Sequence, residues 1–318
     1  MKQQILLSLL ADGEFHSGSK LGGLLGVSRT SVWKTLGSLS KYNLKIESVK
    51  GKGYRLPCGL ELLDTEKILG SVQFDVRKLI SLDVFFSLDS TNKYLMDQQN
   101  ESSEIYSICM AEHQTQGKGR RGKSWVSPFA KNIYLSIGFD LLGGVDSLNG
   151  LSLVVGIAVV RALRLAGVNG AKLKWPNDIW VDGNKISGVL VELRGEATTA
   201  WRVTAGIGLN ISMNEQEGGD IDQSWTSLEK YSNVKKNAMT VYLLDSLVTV
   251  LERFKEKGFS AFESEWREFD LLYGRQVSFS EGRKAGIACG IDSSGALKVK
   301  IESGVFTVNA GEVSVRPV

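Results

Sequence analysis

Residues 117–124 read GKGRRGKS, a spacing of Gly, four residues, then Gly-Lys-Ser that matches the phosphate-cradling P-loop. In a P-loop the glycines lead from a strand straight into a helix N-terminus, so that backbone N–H groups converge on phosphate. A strand is predicted before the loop, over 105–111. No helix is predicted after it: Ser124 is followed by WVSPFAKNIYLSIGF, where Pro128 blocks an early helix and a strand starts near Asn132. The loop also crowds together Lys118, Arg120, Arg121 and Lys123, whereas a P-loop keeps one useful lysine at its end. Such repulsion suits a mobile loop that closes over an anionic ligand, whose charge offsets part of the ordering entropy. The residues predict phosphate handling by a lid, without the P-loop fold.

The elements that must position this loop follow from composition and pattern. The chain has 318 residues, too many for one small module, with 42% apolar and 23% charged residues, as in a soluble globular protein. Glycine is abundant (35) and proline scarce (4), which predicts tight turns and β connections. No run approaches eighteen uninterrupted apolar residues, so a membrane span is not expected, and MKQQILLSLLADGEFHSG reads as a first helix rather than a signal peptide. Cys58, Cys109 and Cys289 are far apart and form no CxxC, which predicts a reduced, cytoplasmic protein without structural disulfides. With only His16 and His113 beside such scattered cysteines, a zinc site is not expected, and His113 reads as a strand-end histidine.

Charge is unevenly spread. Residues 1–60 hold nine Lys/Arg and three Asp/Glu, a balance of +6 against +3 for the whole chain, so the remainder sums to −3. A basic domain on a slightly acidic one predicts that the first meets a polyanion. Apolar residues at 5, 6, 9 and 10 predict a helix. Ser19 is expected to cap a second helix through Leu25, Gly26-Val27 to turn, and Ser28 to cap a third with apolar positions Val32, Trp33, Leu36 and Leu39. This is a helix-turn-helix that would offer Ser28, Arg29, Thr30, Ser31 and Lys34 to major-groove edges and phosphates. KIESVKGKGYRL then reads as a hairpin wing, with Ile46, Val49, Tyr54 and Leu56 packed on the helices and Lys50, Lys52 and Arg55 outside. Glycines 22, 23 and 26 weaken the second helix, which close helix packing must offset. A protein-docking role would leave the same helices and hairpin in place.

From 63 to 270 the pattern is α+β: a partly helical stretch at about 60–82, strands at 83–87, 105–111 and 133–139, and a long buried helix at 148–167. Strands follow at 171–175, 186–193 and 202–211, then helices at 238–257 and 259–269. Strand and helix do not alternate strictly, so a mixed sheet is expected. After 271 come closely spaced short strands, a small SH3-like β-barrel. The predicted architecture is therefore multidomain: a winged helix-turn-helix (1–62), a central α+β domain with a mixed sheet (63–270) and a small β domain (271–318).

The block QTQGKGRRGKSWVSP (114–128), with KWPNDIWVDGNKISGVLVE (174–192), GIGLN (206–210) and SLDSTN (87–92), resembles bacterial biotin–protein ligases. The N-terminal helix-turn-helix and wing resemble the two-function form that also represses the biotin biosynthesis operon. The resemblance covers all three domains and implies that ATP and biotin form biotinyl-5′-AMP, whose biotinyl group passes to a lysine of the biotin carboxyl carrier protein of acetyl-CoA carboxylase. It implies that biotinyl-AMP is also corepressor, favouring a homodimer that binds double-stranded operator DNA.

Two anions must approach in the first step and pyrophosphate must leave, so cationic charge and donors matter more than a strong base. The resemblance places Arg120 in the biotin-facing loop, with Lys118 sharing its work and Gly117 and Gly119 flanking. The family's loop has a Gly-Arg-Gly-Arg-Arg-Gly form, so Lys118 departs from it, keeping charge but losing the bidentate fork. Lys185 would contact phosphate; read alone, it is equally a solvated hairpin residue. Ser90, Thr91 and Asn92 would meet biotin at a helix start, where by themselves they are a good cap, and Gln114 would follow. Trp125 would cover adenine or pack in the core. Asp178 would bind Mg²⁺ near the phosphates or accept from loop N–H groups. Lys174 would sense phosphate, Asn177 would hold neighbouring loops, Gly188 would let the chain pass close to ligand, and Asn210 would contact ATP or cap a turn. A metabolite-sensing regulator without ligase activity and a lipoate–protein ligase are the rival readings.

Overall fold

The computed structural model describes residues 2–57, 59–98, 105–195, 200–279, 285–309 and 315–317; Cys58 lies outside them, as do parts of the short strands expected after 271. Helix α1 (Lys2–Leu10) turns Leu6, Leu7 and Leu10 inward. Helix α2 (Gly18–Leu25) is capped by Ser17, whose hydroxyl accepts from Lys20 N at 3.1 Å. The cap is not Ser19 as expected, because Ser19 already lies within the first turn. Ser28 caps α3 (Arg29–Ser38), accepting from Ser31 N at 3.2 Å. Val32 and Leu36 fill the inner face of α3, and Leu39 at its C-cap is buried with them. Trp33, one residue beyond Val32 and so turned about 100° around the axis, is 62% exposed rather than in the core. Gly26 takes the left-handed turn (φ +62°) and a methyl at Gly22 would lie 2.6 Å from Val27 O, whereas nothing approaches Gly23. Close packing thus accounts for Gly22 alone.

The wing is β1 (Glu47–Val49) paired with β2 (Gly53–Arg55). Tyr54 and His16 exchange backbone hydrogen bonds at 2.9 Å, and Gly53 (φ +109°) leaves room for the His16 carbonyl. Val49 stays exposed, correcting the expectation that it packs on the helices. Helices α4 (Thr65–Ser71) and α5 (Phe74–Lys78) follow a short connection.

The central sheet comprises β3 (Ile80–Phe85), β4 (Tyr106–Ala111), β5 (Asn132–Leu142), β6 (Lys172–Lys174), β7 (Asp178–Val181), β8 (Asn184–Arg194) and β9 (Ala200–Asn210), with α6 (Thr91–Asp97) between β3 and β4 and α7 (Leu151–Leu165) after β5. Its order is β3-β4-β5-β9-β8-β7-β6, with β3–β4 parallel and the other pairs antiparallel. Strand β7 was not expected; its turn into β8 uses Asp182 and Gly183, both at positive φ, the backbone a two-residue hairpin needs. Helices α7 and α8 (Lys236–Lys257) pack on each other and on the sheet, joined by α9 (Glu263–Phe269). The stretch Val145–Leu165 is long and apolar enough by composition to cross a membrane, yet most of α7 is buried in this core.

Strand alternation decides what lies on the opposite face. Val203, Ala205, Ile207 and Leu209 of β9 join the α7/α8 core. Thr204, Gly206, Gly208 and Asn210 therefore point the other way, opposite Gly138, Ser136, Tyr134 and Asn132 of β5 and, from Thr204 to Gly208, opposite Glu192, Leu190 and Gly188 of β8. The C-terminal strands β10 (Gln276–Phe279), β11 (Gly286–Ile291), β12 (Leu297–Ile301), β13 (Gly304–Val308) and β14 (Val315–Pro317) form an antiparallel sheet, order β13-β12-β11-β10-β14. It touches the central domain where Trp175 Nε1 donates to Gly295 O at 3.0 Å.

Candidate functional site

On that second face, α6 delivers its N-terminus to the sheet. Ser90, Thr91 and Asn92 are each buried to within 4% exposure. Ser90 caps the helix toward Lys93 N. Thr91 donates from its N–H and hydroxyl to Gln114 Oε1, at 2.9 and 3.1 Å. Asn92 Oδ1 accepts from the Ser136 hydroxyl at 2.6 Å, while its amide donates to Glu192 Oε2 at 2.8 Å. The Asn92 amide lies where a side chain at position 206 would stand, so Gly206 is required. Thr91, Asn92, Gln114 and Ser136 are each bonded to a neighbour, which makes the corner rigid.

Gln114 Nε2 reaches Ser127 Oγ at 3.3 Å, bringing the two ends of the basic loop together. The loop folds back on itself: Gly119 N donates to Lys123 O at 2.7 Å and Trp125 N to Gly117 O at 2.9 Å. Gly117 sits where a methyl would lie 2.6 Å from Trp125 O. Lys118, Arg121 and Lys123 are exposed around the turn, whereas Arg120 is half-buried. Its Nη1 donates to Asn177 Oδ1 at 3.0 Å. Burial draws the Arg120 guanidinium below its ordinary range, Asp178 opposes this, and Arg121 adds to it.

Asn177 is itself fixed, its side-chain amide donating to Val189 O at 2.8 Å and its backbone carbonyl accepting from Val189 N at 2.9 Å, just after the cis Trp175–Pro176 bond. Asp178 meets Lys185 across the β7–β8 hairpin, Oδ1 to Nζ at 2.7 Å, both side chains under 20% exposed. Lys185 is therefore not the solvated hairpin residue that one reading allowed. Its ammonium also faces the Trp125 ring, 5.4 Å from the centroid. That ring lies over Gly188 and Gly208, and a methyl at Gly208 would overlap it. Thus Thr91, Gln114, Gly117, Arg120, Asp178, Lys185, Trp125 and Gly188 form one continuous constellation over a glycine floor.

Other residues lie around it, Lys174 directly across from Asp178 in the β6–β7 register. Asn210 is buried, its Oδ1 accepting from Asn132 Nδ2 at 3.4 Å and its Nδ2 donating to Thr226 O at 3.0 Å. Lys174 stacks over Trp180 at 4.3 Å. His113 donates or accepts at Ser87 Oγ (2.9 Å) and packs edge-on to Tyr42; burial, then Lys41, lowers its pKa. Geometry adds Ser136, Glu192, Gly206, Gly208 and Asn177 to the corner. No local pattern carries the first two, but the alternate glycines of GIGLN signal a floor that something else must cover. Among the described residues no group of three or more His, Cys, Asp or Glu could hold a metal. Asp178 is a single hard-oxygen donor with one oxygen already on Lys185, which fits an ion carried in on ligand phosphates and not a protein cage.

On the N-terminal domain, Ser28, Arg29, Thr30, Ser31 and Lys34 lie exposed along the start and outer face of α3, joined there by Trp33. Ser28 and Ser31 share a 3.1 Å contact. Lys50 and Lys52 are exposed at the wing; Lys52 and Arg55 flank the Phe15 ring, and Arg55 pairs with Glu47 at 2.7 Å.

Residues 84–210 match the Biotin/lipoate A/B protein ligase family, residues 2–55 an HTH domain and residues 273–316 the Biotin protein ligase C terminal domain. The chain is 38% identical to the bifunctional ligase/repressor BirA of Escherichia coli, over 98% of this chain and 96% of that one. It is 30% identical to the biotin–[acetyl-CoA-carboxylase] ligase of Mycobacterium tuberculosis, over 73% and 88%. Among solved structures, the Aquifex aeolicus biotin protein ligase in complex with biotin and ATP superposes with a TM-score of 0.63 at 27% identity, covering 75% of this chain and 99% of that one.

Proposed function

This chain belongs to the family of bifunctional biotin ligases and repressors, and from that premise we propose how its own residues divide the work. It is an ATP-dependent biotin–protein ligase that carries a DNA-binding repressor domain. In the first step a biotin carboxylate oxygen bonds the α-phosphorus of ATP and the bond to pyrophosphate breaks. In the second, a carrier lysine amine attacks the biotinyl carbonyl, AMP leaves and the amine loses a proton.

The α6 corner would hold biotin: Ser90, Thr91 and Asn92 with Gln114, stiffened by Ser136 and Glu192. Arg120, steered by Asn177, would lie between the two anions as they approach, and Lys185 would take charge developing on the phosphates. Both are pre-oriented cations in a partly dry site, where such donors are worth more than in water. Lys118 and the Gly117 and Gly119 backbone would close the exposed part of the loop, and Trp125 would offer its ring to adenine beside Gly188. Mg²⁺, neutralising phosphate charge when bound, would take its one protein oxygen from Asp178. Asn210 would act on ATP only by giving up its present partners, so its role is to shape the end of β9. The observation that carries this reading is the 3.0 Å Arg120–Asn177 contact, which joins the loop to the Asp178–Lys185 pair.

The carrier is the biotin carboxyl carrier protein of acetyl-CoA carboxylase, and the second partner is operator DNA, met in the cytoplasm. Ser28, Arg29, Thr30, Ser31 and Lys34 would enter the major groove while Lys50 and Lys52 meet phosphates. Biotinyl-AMP would act as corepressor by favouring a homodimer, and carrier protein would compete with self-association by mass action. The exposed apolar side chains of Leu142, Val145 and Leu193 near one end of the central sheet support such a contact.

Full-length protein given ATP, an apo carrier domain and labelled biotin or lipoate tests the chemistry. Biotin transfer is expected, and transfer of lipoate alone would sink the reading. Operator affinity with and without biotin and ATP tests the switch, and identical affinities would exclude it.

A further inference from the structure

A buried ion pair lies outside the site, at the base of the basic loop. Lys236 Nζ and Glu112 Oε2 are 2.6 Å apart, with side chains 3% and 4% exposed. Enclosing two charges so fully loses hydration that their attraction only partly returns, so a well-packed apolar pair would serve stability as well or better. Location supplies another reason for them. Glu112 follows β4 and directly precedes His113 and Gln114. Its backbone carbonyl accepts from Ala130 N at 2.8 Å, closing the base of the whole loop, and Lys236 Nζ also donates to Ala130 O at 3.2 Å. Ala130 stands at φ +59°, a conformation alanine rarely adopts unless its surroundings impose it.

The second carboxylate oxygen of Glu112 accepts from Leu63 N, in the connection between the wing and α4. That connection is fastened again beside Lys236: Glu61 accepts from Lys236 N at 2.6 Å and from Asn237 N at 3.1 Å. The Asn237 side chain donates to Leu62 O and accepts from Asp64 N, both at 2.9 Å. Finally, Phe129 at the loop base is buried in the apolar cluster of the N-terminal helices, its ring 4.7 Å from those of Tyr42 and Phe86.

We propose that the Glu112–Lys236 pair is the joint between the ligand loop and the winged helix, and that both are positioning residues although neither belongs to the ligand corner. The loop base cannot shift without breaking bonds that also fix residues 61–64, so ligand that closes the loop tightens the connection. By reciprocity, DNA that restrains the N-terminal domain tightens the loop by the same factor. The identity of the two ligands rests on the ligase and repressor reading above.

Hydrogen exchange of the full wild-type chain, with and without biotin and ATP, tests the joint without mutation. Exchange at Leu63, Asp64 and Asn237 is expected to slow together with residues 113–130, by about fivefold or more. Adenylate formed with unchanged exchange at Leu63 and Asp64 overturns the joint alone; failure to form adenylate overturns the ligase reading and this one with it. The variant E112Q/K236M removes both charges at similar volume. Its biotin KM is expected to rise about tenfold with kcat within about twofold, and ligand-dependent protection at 63–64 to vanish. K236R, which keeps charge and donors, should restore both. Wild-type KM and wild-type protection in the double variant would overturn the proposal.

Discussion

The proposed ligand corner and the proposed DNA-facing surface are built on opposite plans. At α6 the polar side chains are buried, each already bonded to another part of the chain, so their positions are settled before a ligand arrives. On α3 and the wing, Ser28 caps and the cations extend into solvent from a small domain whose core, among the described residues, is seven leucines and one valine. A buried, bonded group is worth much because its partner is stranded when it is lost. An exposed cation is worth little to the fold and acts through the field it adds. On the proposed reading the chemistry would depend on single residues, whereas DNA binding would depend on a sum.

Substitutions should expose that difference. R120A is expected to lower adenylate formation by about 10²- to 10³-fold in single-turnover assays, since an oriented cation is lost from a partly dry site. A loss under tenfold would place Arg120 among the summed, exposed charges instead. N92A takes the amide donor from half-buried Glu192 and leaves the Ser136 hydroxyl only its Thr91 contact, at about 1–3 kcal/mol; biotin KM should rise about 5- to 150-fold and the melting temperature fall. K50A and K52A should each weaken DNA binding only a few-fold, leave the melting temperature unchanged, and reduce the salt slope of log K by about one. A base-specific loss from either would sharpen the wing into a reader.

The smallest effect concerns His113, where the two regions meet. Its folded pKa lies below the unfolded value of about 6.5, because burial and then Lys41 disfavour the charged ring. Below that value the unfolded chain binds the extra proton, so stability falls as pH drops through the window down to the folded pKa, and is unaffected above it. Thermal melts from pH 7.5 to 5 should show this slope in the wild type and lose it in H113F.

Much of this was legible in sequence, and what was not has physical causes. Local periodicity finds α3 and α7, and the crowd of cations without a following helix separates the loop from a P-loop. Hydrophobicity alone misplaces Trp33, because it cannot tell which of two adjacent apolar residues faces inward. Strand β7 is short and preceded by Pro176-Asn177, and only the Asp182-Gly183 turn reveals it. Ser136 and Glu192 gain their places from strand register, and Glu112 meets Lys236 across 124 positions. No window of neighbouring residues contains such pairings.

The glycine floor has a consequence for how the chain folds. β9 pairs with β5 across 58 to 78 positions, one of the long-range closures that folding reaches slowly. Until it forms, Gly206 has no Asn92 above it and Gly208 no Trp125. The α6 start can be assembled locally, but the surface beneath it arrives only with this late step. Partly folded chains should then be blind to both substrates, and recovery of catalysis during refolding should lag the return of helical signal.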